Sequence, residues 1–230
     1  MAKTNAIALN SAVRYLINKY AVETGRPPTV QNLGAELKCP AEEVERALSG
    51  LAESHAVVLH PNTSRIWLAH PFSFTPTAFW VVSSRGSWWA NCAWCALGIA
   101  AIIDEDTRIV SRSGAEGDSV EVHVCDRLVK EPDLLVHFSV PMAKWWNNIH
   151  YTCGTILFFR SIREIDTWCH RHAIAKGEVL SMDQAWALAQ AWYGDYLNPK
   201  WRRRTAREAE EIFDNIGLRG AFWEPGAGWK

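Results

Sequence analysis

The feature that most constrains this chain is a change of hydrophobic period near residue 70, with prolines marking the join. Before it, apolar residues recur at helical spacing three times. Ala12, Val13, Leu16, Ile17 and Tyr20 form one face within residues 10–24. Thr29 follows the Gly25-Arg26-Pro27-Pro28 break as a cap for a short helix ending at Leu37, and Pro40 opens a third with Val44, Leu48 and Leu51 on one side. Residues 56–60 and 65–69 then alternate around Pro61-Asn62-Thr63-Ser64, which predicts a hairpin. Three helices and a hairpin are the order of a winged helix-turn-helix, so residues 1–70 are expected to form a winged-helix-like module, with 71–77 as a linker and 78–230 as a second domain.

Beyond the join the pattern becomes mixed. A strand is expected over Phe79–Ser84, a helix over Cys92–Ile103, and a hairpin of Thr107–Ser113 with Ser119–Cys125 across Gly114–Asp118. Further strands are expected at Leu134–Val140 and Cys153–Phe159. Ser161-Ile-Arg-Glu164 and Ser181-Met-Asp-Gln184 fit the capping box, so helices should start at both, and a charged amphipathic helix should cover Thr205–Ile216. The sum is an α+β chain whose winged-helix-like start leads into a mixed or antiparallel sheet core with flanking helices.

Charge and composition narrow the partners. With 24 Lys and Arg against 25 Asp and Glu, the net charge of -1 sets up no general field for nucleic acid or an anionic membrane. The would-be recognition helix carries Glu42, Glu43 and Glu45 beside Arg46, which repels phosphates, so the module is expected to be structural or a lid. Arg202-Arg203-Arg204 is too short to argue for nucleic acid and reads as a solvated helix start. No apolar run of membrane-spanning length occurs and the first residues lack a signal-peptide pattern, so a cytoplasmic location is expected. Thirteen tryptophans exceed the usual load for 230 residues. Most should be core, while Trp88, Trp89, Trp94, Trp145 and Trp146 are equally candidates for lining an apolar pocket.

In a reducing compartment Cys39, Cys92, Cys95, Cys125, Cys153 and Cys169 are expected as thiols. Cys39, Cys125 and Cys169 sit in ordinary apolar patterns and read as small core residues. Cys92-Ala-Trp-Cys95 is different, because it stands where a strand and its Gly86-containing turn lead into a helix. Residues three apart share a helical face, so both sulfurs can reach one site. The positive helix end favours the thiolate at Cys92, and coupling then holds Cys95 protonated, a division that suits a nucleophile and an acid. A lone CxxC also occurs in redox sites and as half of a zinc site. For zinc, Cys153 with His150 would have to complete the set through tertiary structure. His123 and His137 alternate with apolar strand residues and fit surface or core positions.

Taken together, the motif order resembles one family. A winged-helix-like start, then Trp89-Ala-Asn-Cys92-Ala-Trp-Cys95-Ala-Leu-Gly98-Ile, a hairpin, Tyr151-Thr-Cys153-Gly-Thr-Ile-Leu-Phe158-Phe159-Arg-Ser161, and Trp168 ahead of His170 and His172, is similar to the alkylmercury (organomercurial) lyases from about residue 25 to about residue 197. The resemblance implies that Cys92 and Cys153 bind the mercury of R–Hg⁺. It also implies that the residue three after the first cysteine supplies the proton to the departing carbon. In the family that residue is aspartate, and here it is Cys95. Cys92, Cys153 and Cys95 are therefore the expected catalytic and metal-binding residues, with no cofactor required and Hg(II) bound as substrate and product. The expected partners are a small organomercurial or other apolar substrate, and cellular thiols or a mercuric reductase as Hg(II) acceptor. Two other classes fit the same residues: a thiolate protein that holds a soft metal without turnover, and a related scaffold in which Cys92 attacks a non-mercury electrophile.

Overall fold

The computed structural model describes residues 2–226 and residue 229. Helix α1 (Ala2–Thr24) buries Val13, Ile17 and Ala21 and begins earlier than its apolar stripe indicates. Helix α2 (Val30–Leu37) starts at Thr29, whose hydroxyl accepts the Asn32 N–H at 3.1 Å while the Asn32 side chain accepts the Thr29 N–H at 2.9 Å, a reciprocal cap. Helix α3 (Ala41–Glu53) turns Val44, Leu48 and Leu51 inward. These helices close over β1 (Val58–Leu59) and β2 (Ile66–Ala69) around a core of their own. The order of three helices and a hairpin is the expected one.

Residues 71–77 contain β3 (Phe72–Ser73), which pairs Ala69 with Phe72 on one side and Phe72 with Ala90 on the other. The sheet therefore runs unbroken from the hairpin into β4 (Trp80–Ser83) and β5 (Gly86–Ala90). Helix α4 (Ala93–Ile103) follows, and every one of its residues is buried. A helix without a polar face needs apolar neighbours all round. The sheet covers one side, extended by β6 (Thr107–Arg112), β7 (Ser119–Cys125) and β8 (Leu128–Val129) to the order β1-β2-β3-β5-β4-β6-β7-β8 with antiparallel pairing.

The remaining elements form the opposite side. Strand β9 (Leu135–Phe138) is the centre of a three-stranded antiparallel sheet. Next comes α5 (Ile149–Gly154), which corrects the expected strand from Cys153: only β10 (Leu157–Phe159) is extended. The cause is local, since the Asn148 side chain accepts the Tyr151 N–H at 3.0 Å and starts a helical turn that the β-branched residues alone do not suggest. Helix α6 (Ile162–His172) begins at Ser161 as expected, but with half a box. Ser161 accepts the Glu164 N–H at 3.2 Å, whereas the Glu164 carboxylate accepts from the Arg160 N–H at 3.0 Å and the Ser113 hydroxyl at 2.6 Å. Strand β11 (Glu178–Ser181) completes the small sheet, and α7 (Met182–Tyr193) and α8 (Ala206–Ile216) both carry the full reciprocal cap, at Ser181 and Thr205. Helix α7 lies against α4, so the fold is α+β with α4 at its centre. No helix among the described residues is long and apolar enough to cross a membrane.

His137 on β9 is fully buried, with Nδ1 lacking a partner among the described residues, and burial lowers its pKa from 6.5 to about 4. The folded state keeps this imidazole neutral, while the unfolded chain takes up a proton below pH 6.5. Its contribution is thus intact above pH 6.5 and is lost as pH falls toward 4. The loss across that window is on the order of 3 kcal/mol. Denaturation of a His137→Phe variant from pH 7 to pH 4 should show a flatter acid limb than the native chain, and parallel curves would exclude this origin.

Candidate active site

Three cysteines from two helices meet at the start of α4. Cys92 is the cap: its backbone is extended and its Sγ accepts the Cys95 N–H at 3.2 Å. Cys95 lies on the first turn. Cys153 reaches it from α5, because the Ala93 N–H donates to the Ile156 carbonyl at 3.0 Å and ties the end of α5 to the beginning of α4. All three are buried, at 0% for Cys92, 1% for Cys95 and 8% for Cys153, so Cys153 is the most accessible.

Two further side chains complete the cluster, and neither stood out in the sequence. His70, at the end of the hairpin, places Nδ1 4.0 Å from the Cys95 sulfur, and the Tyr193 hydroxyl lies 3.7 Å from it. Donor atoms of His70, Cys95 and Cys153 all fall within 4.8 Å of one another. His150, the histidine considered with Cys153, instead packs on the Trp67 ring at 4.4 Å and is exposed. His123 is held by Glu131 at 2.7 Å. Cys39 and Cys125 are half-buried away from the cluster, and Cys169 sits 3.9 Å from His137.

The charge distribution differs from the helix-end expectation. Burial pushes the Cys95 thiol up, but hydrogen bonds from Cys153, Cys92 and His70 outweigh it and hold Cys95 well below the ordinary thiol range. Burial, followed by hydrogen bonding to Cys153 and Cys95, keeps Cys92 high. The hydrogen bond with Cys92 favours the Cys153 thiolate, yet the bond with Cys95 and burial together leave Cys153 high as well. Burial, then the Cys95 charge, raises Tyr193, which remains a neutral hydroxyl that can donate to sulfur. The donors around Cys95 favour a thiolate there over Cys92 and Cys153. The helix end favours Cys92, but its single amide bond is outnumbered by the donors around Cys95.

Cys95 and Cys153 open onto a cavity of about 350 Å³, whereas Cys92 lies behind them and does not line it. Trp94, Trp145 and Trp146 are in the wall, together with Arg14 and Asn18 of α1. Trp88 and Trp89 are elsewhere: the Trp88 indole donates to the Ala21 carbonyl at 2.9 Å, and Trp89 packs on Trp80. Residues 72–194, more than half of the chain and including all three cysteines, match the family model described as Alkylmercury lyase.

The chain belongs to the alkylmercury lyase family. A solved structure described as the mercury-bound form of MerB2 shares the fold, with a TM-score of 0.64 and 20% identity over 84% of this chain and 100% of that one. No curated protein matches this member of the family. The family match and the converging cysteines support an organomercurial lyase-like function and a cluster able to bind metal.

Close helix packing sets the position of Tyr193. A Cβ at Gly98, one turn beyond Cys95 on α4, would overlap the Tyr193 ring on α7. Gly98→Ala should therefore destabilise by about 1–3 kcal/mol in urea unfolding, and the penalty should shrink in a Tyr193→Leu background. Equal penalties in both backgrounds would mean that this contact does not set the spacing.

Proposed function

We propose that this protein cleaves carbon–mercury bonds by thiolate coordination and protonolysis, releasing a hydrocarbon and retaining Hg(II). The observation that carries the reading is the meeting of Cys92, Cys95 and Cys153, two of them lining a largely apolar cavity, in a chain of this family. Mercury(II) is soft and takes thiolates in preference to oxygen or nitrogen donors, and added sulfur ligands push electron density toward carbon. A carbon so loaded accepts a proton from a donor in hydrogen-bond reach.

The proton arrangement gives each sulfur a role. Cys153 meets R–Hg–X first at the cavity wall; its sulfur bonds to mercury, its proton passes to the Cys95 thiolate, and X⁻ departs. Cys92 binds next from behind, its proton leaving with X⁻ as HX. Cys95, now a neutral thiol, gives its proton to carbon as the Hg–C bond breaks, so R–H leaves and Hg(II) stays on sulfur. Two protons enter the cycle, one for carbon and one for X⁻. Cys95 acts as relay and acid where the family has aspartate, and ends as a thiolate able to take a third position on the metal. An external thiol, or a mercuric reductase, then accepts Hg(II). No cofactor enters the cycle. The N-terminal 1–70 unit acts as a wall of the substrate cavity rather than as a nucleic-acid reader, since α1 contributes Arg14 and Asn18 to the lining.

A second reading has its own observation. With three sulfurs and the His70 nitrogen in one cluster, the site has more donors than a two-coordinate mercury needs and could retain it without turnover. Attack by Cys92 on an organic electrophile is less well supported, because that sulfur is fully buried behind the cavity.

Incubation with phenylmercury and excess thiol separates the readings. The native chain should release benzene over many turnovers, with release abolished in Cys92→Ala and Cys153→Ala. Cys95→Ala should slow protonolysis by about 10²–10⁴-fold, the usual contribution of a positioned acid, and Cys95→Asp should restore much of it. Stoichiometric mercury uptake without benzene would identify a thiolate trap, and a Cys92→Ala variant as active as the native chain would end the lyase reading.

A further inference from the structure

The same cavity is lined by cationic groups for which the sulfur chemistry has no use. Arg14 on α1 is only 6% exposed, with its guanidinium carbon 3.3 Å from the centre of the Trp201 ring and 4.5 Å from that of Tyr196. Its Nη1 donates to the Tyr196 carbonyl at 3.4 Å, while Nη2 is buried and has no partner among the described residues. Burial lowers its pKa to about 10, which leaves it charged at neutral pH. Asp195, the carboxylate whose field reaches it, is bonded instead to Arg204 at 2.9 Å.

Arg203 repeats the pattern. Its Nη1 donates to the Ser54 carbonyl at 3.3 Å, its guanidinium lies 5.1 Å from the Trp229 ring, and its Nη2 is likewise buried without a partner among the described residues. Both arginines line the cavity that reaches Cys95 and Cys153. Arg202, by contrast, is exposed and paired with Glu208, so the three consecutive arginines are not one solvated run. Two tyrosines link Arg14 to the cysteines: Tyr196 under Arg14 packs on Tyr193 at 5.0 Å, and the Tyr193 hydroxyl reaches the Cys95 sulfur at 3.7 Å.

Aromatic faces stabilise a guanidinium but do not satisfy its N–H groups, and a buried cation with an idle donor is costly unless an anion meets it. The planar fork of arginine matches a carboxylate. We propose that the cavity receives a small organic carboxylate, its acid group on Nη2 of Arg14, with Arg203 as a second cation of the lining, and its apolar body along Trp94, Trp145 and Trp192 toward the cysteines. Carboxylate recognition is independent of mercury. That the reacting molecule is a carboxylate-bearing organomercurial rests on the lyase reading.

Benzoate and benzamide differ in charge and little in shape, so they test the anion site without mercury. Tryptophan fluorescence titration of the reduced native chain should show benzoate binding at least about tenfold tighter than benzamide, the worth of one charged hydrogen-bonded pair. The preference should fall to near unity in Arg14→Met and shrink in Arg203→Gln. Equal binding of benzoate and benzamide to the native chain, binding of neither at millimolar concentration, or inorganic phosphate binding as tightly as benzoate would each overturn the proposal, even if the Arg14 variant fails to fold. Comparing kcat/KM for 4-chloromercuribenzoate and phenylmercury then tests the substrate: a matching preference for the carboxylated mercurial is expected, and none would overturn that part. Hydrocarbon from neither mercurial strikes the lyase reading, while the benzoate preference still decides the anion site.

Discussion

The arrangement depends on one buried helix and the place where its first turn is anchored. Helix α4 has no polar face, so it must sit between the sheet and α7, and this burial fixes both the direction of its N-terminus and the depth of the two cysteines there. The Ala93 N–H to Ile156 carbonyl bond then brings the end of α5 to the same point. A free amide of a first helical turn needs an acceptor, and one supplied by a distant segment pins that segment in place. Cys153 arrives at Cys92 and Cys95 as a consequence.

Burial also sets the chemistry of the sulfurs. In water three thiols would titrate nearly alike, whereas in this closed site one charge is shared and rests where the most donors converge. Cys95 has Cys92, Cys153 and His70 around it, and Tyr193 within reach. In the proposed cycle this sulfur accepts a proton from an incoming ligand and returns it to carbon.

The cavity places two kinds of side chain along one aromatic lining. Two sulfurs line it, while Arg14 and Arg203 each hold a buried N–H group without a partner among the described residues, packed on tryptophan and tyrosine rings. The N-terminal helices contribute directly, since α1 supplies Arg14 and the turn after α3 supplies the Ser54 carbonyl that orients Arg203. Glu42 and Glu45 face outward on α3, away from this cavity.

Local sequence determined the helix caps at Thr29, Ser181 and Thr205, the hairpin around Gly114, and the nearness of Cys92 to Cys95, which is a cap contact rather than a shared helical face, because each depends on groups a few residues apart. Motif order singled out Cys153 and the family, yet not that Cys153 rides on a helix turn, which the short-range cap at Asn148 imposes against an apparent strand pattern. Tertiary structure alone decided the rest. His70 and Tyr193 stand 25 and 98 residues from Cys95, and the Arg14 guanidinium meets a carbonyl 182 residues away. No periodicity encodes such meetings; they follow from how a wholly apolar helix is enclosed, and they determine where the thiolate sits and what the cavity can hold.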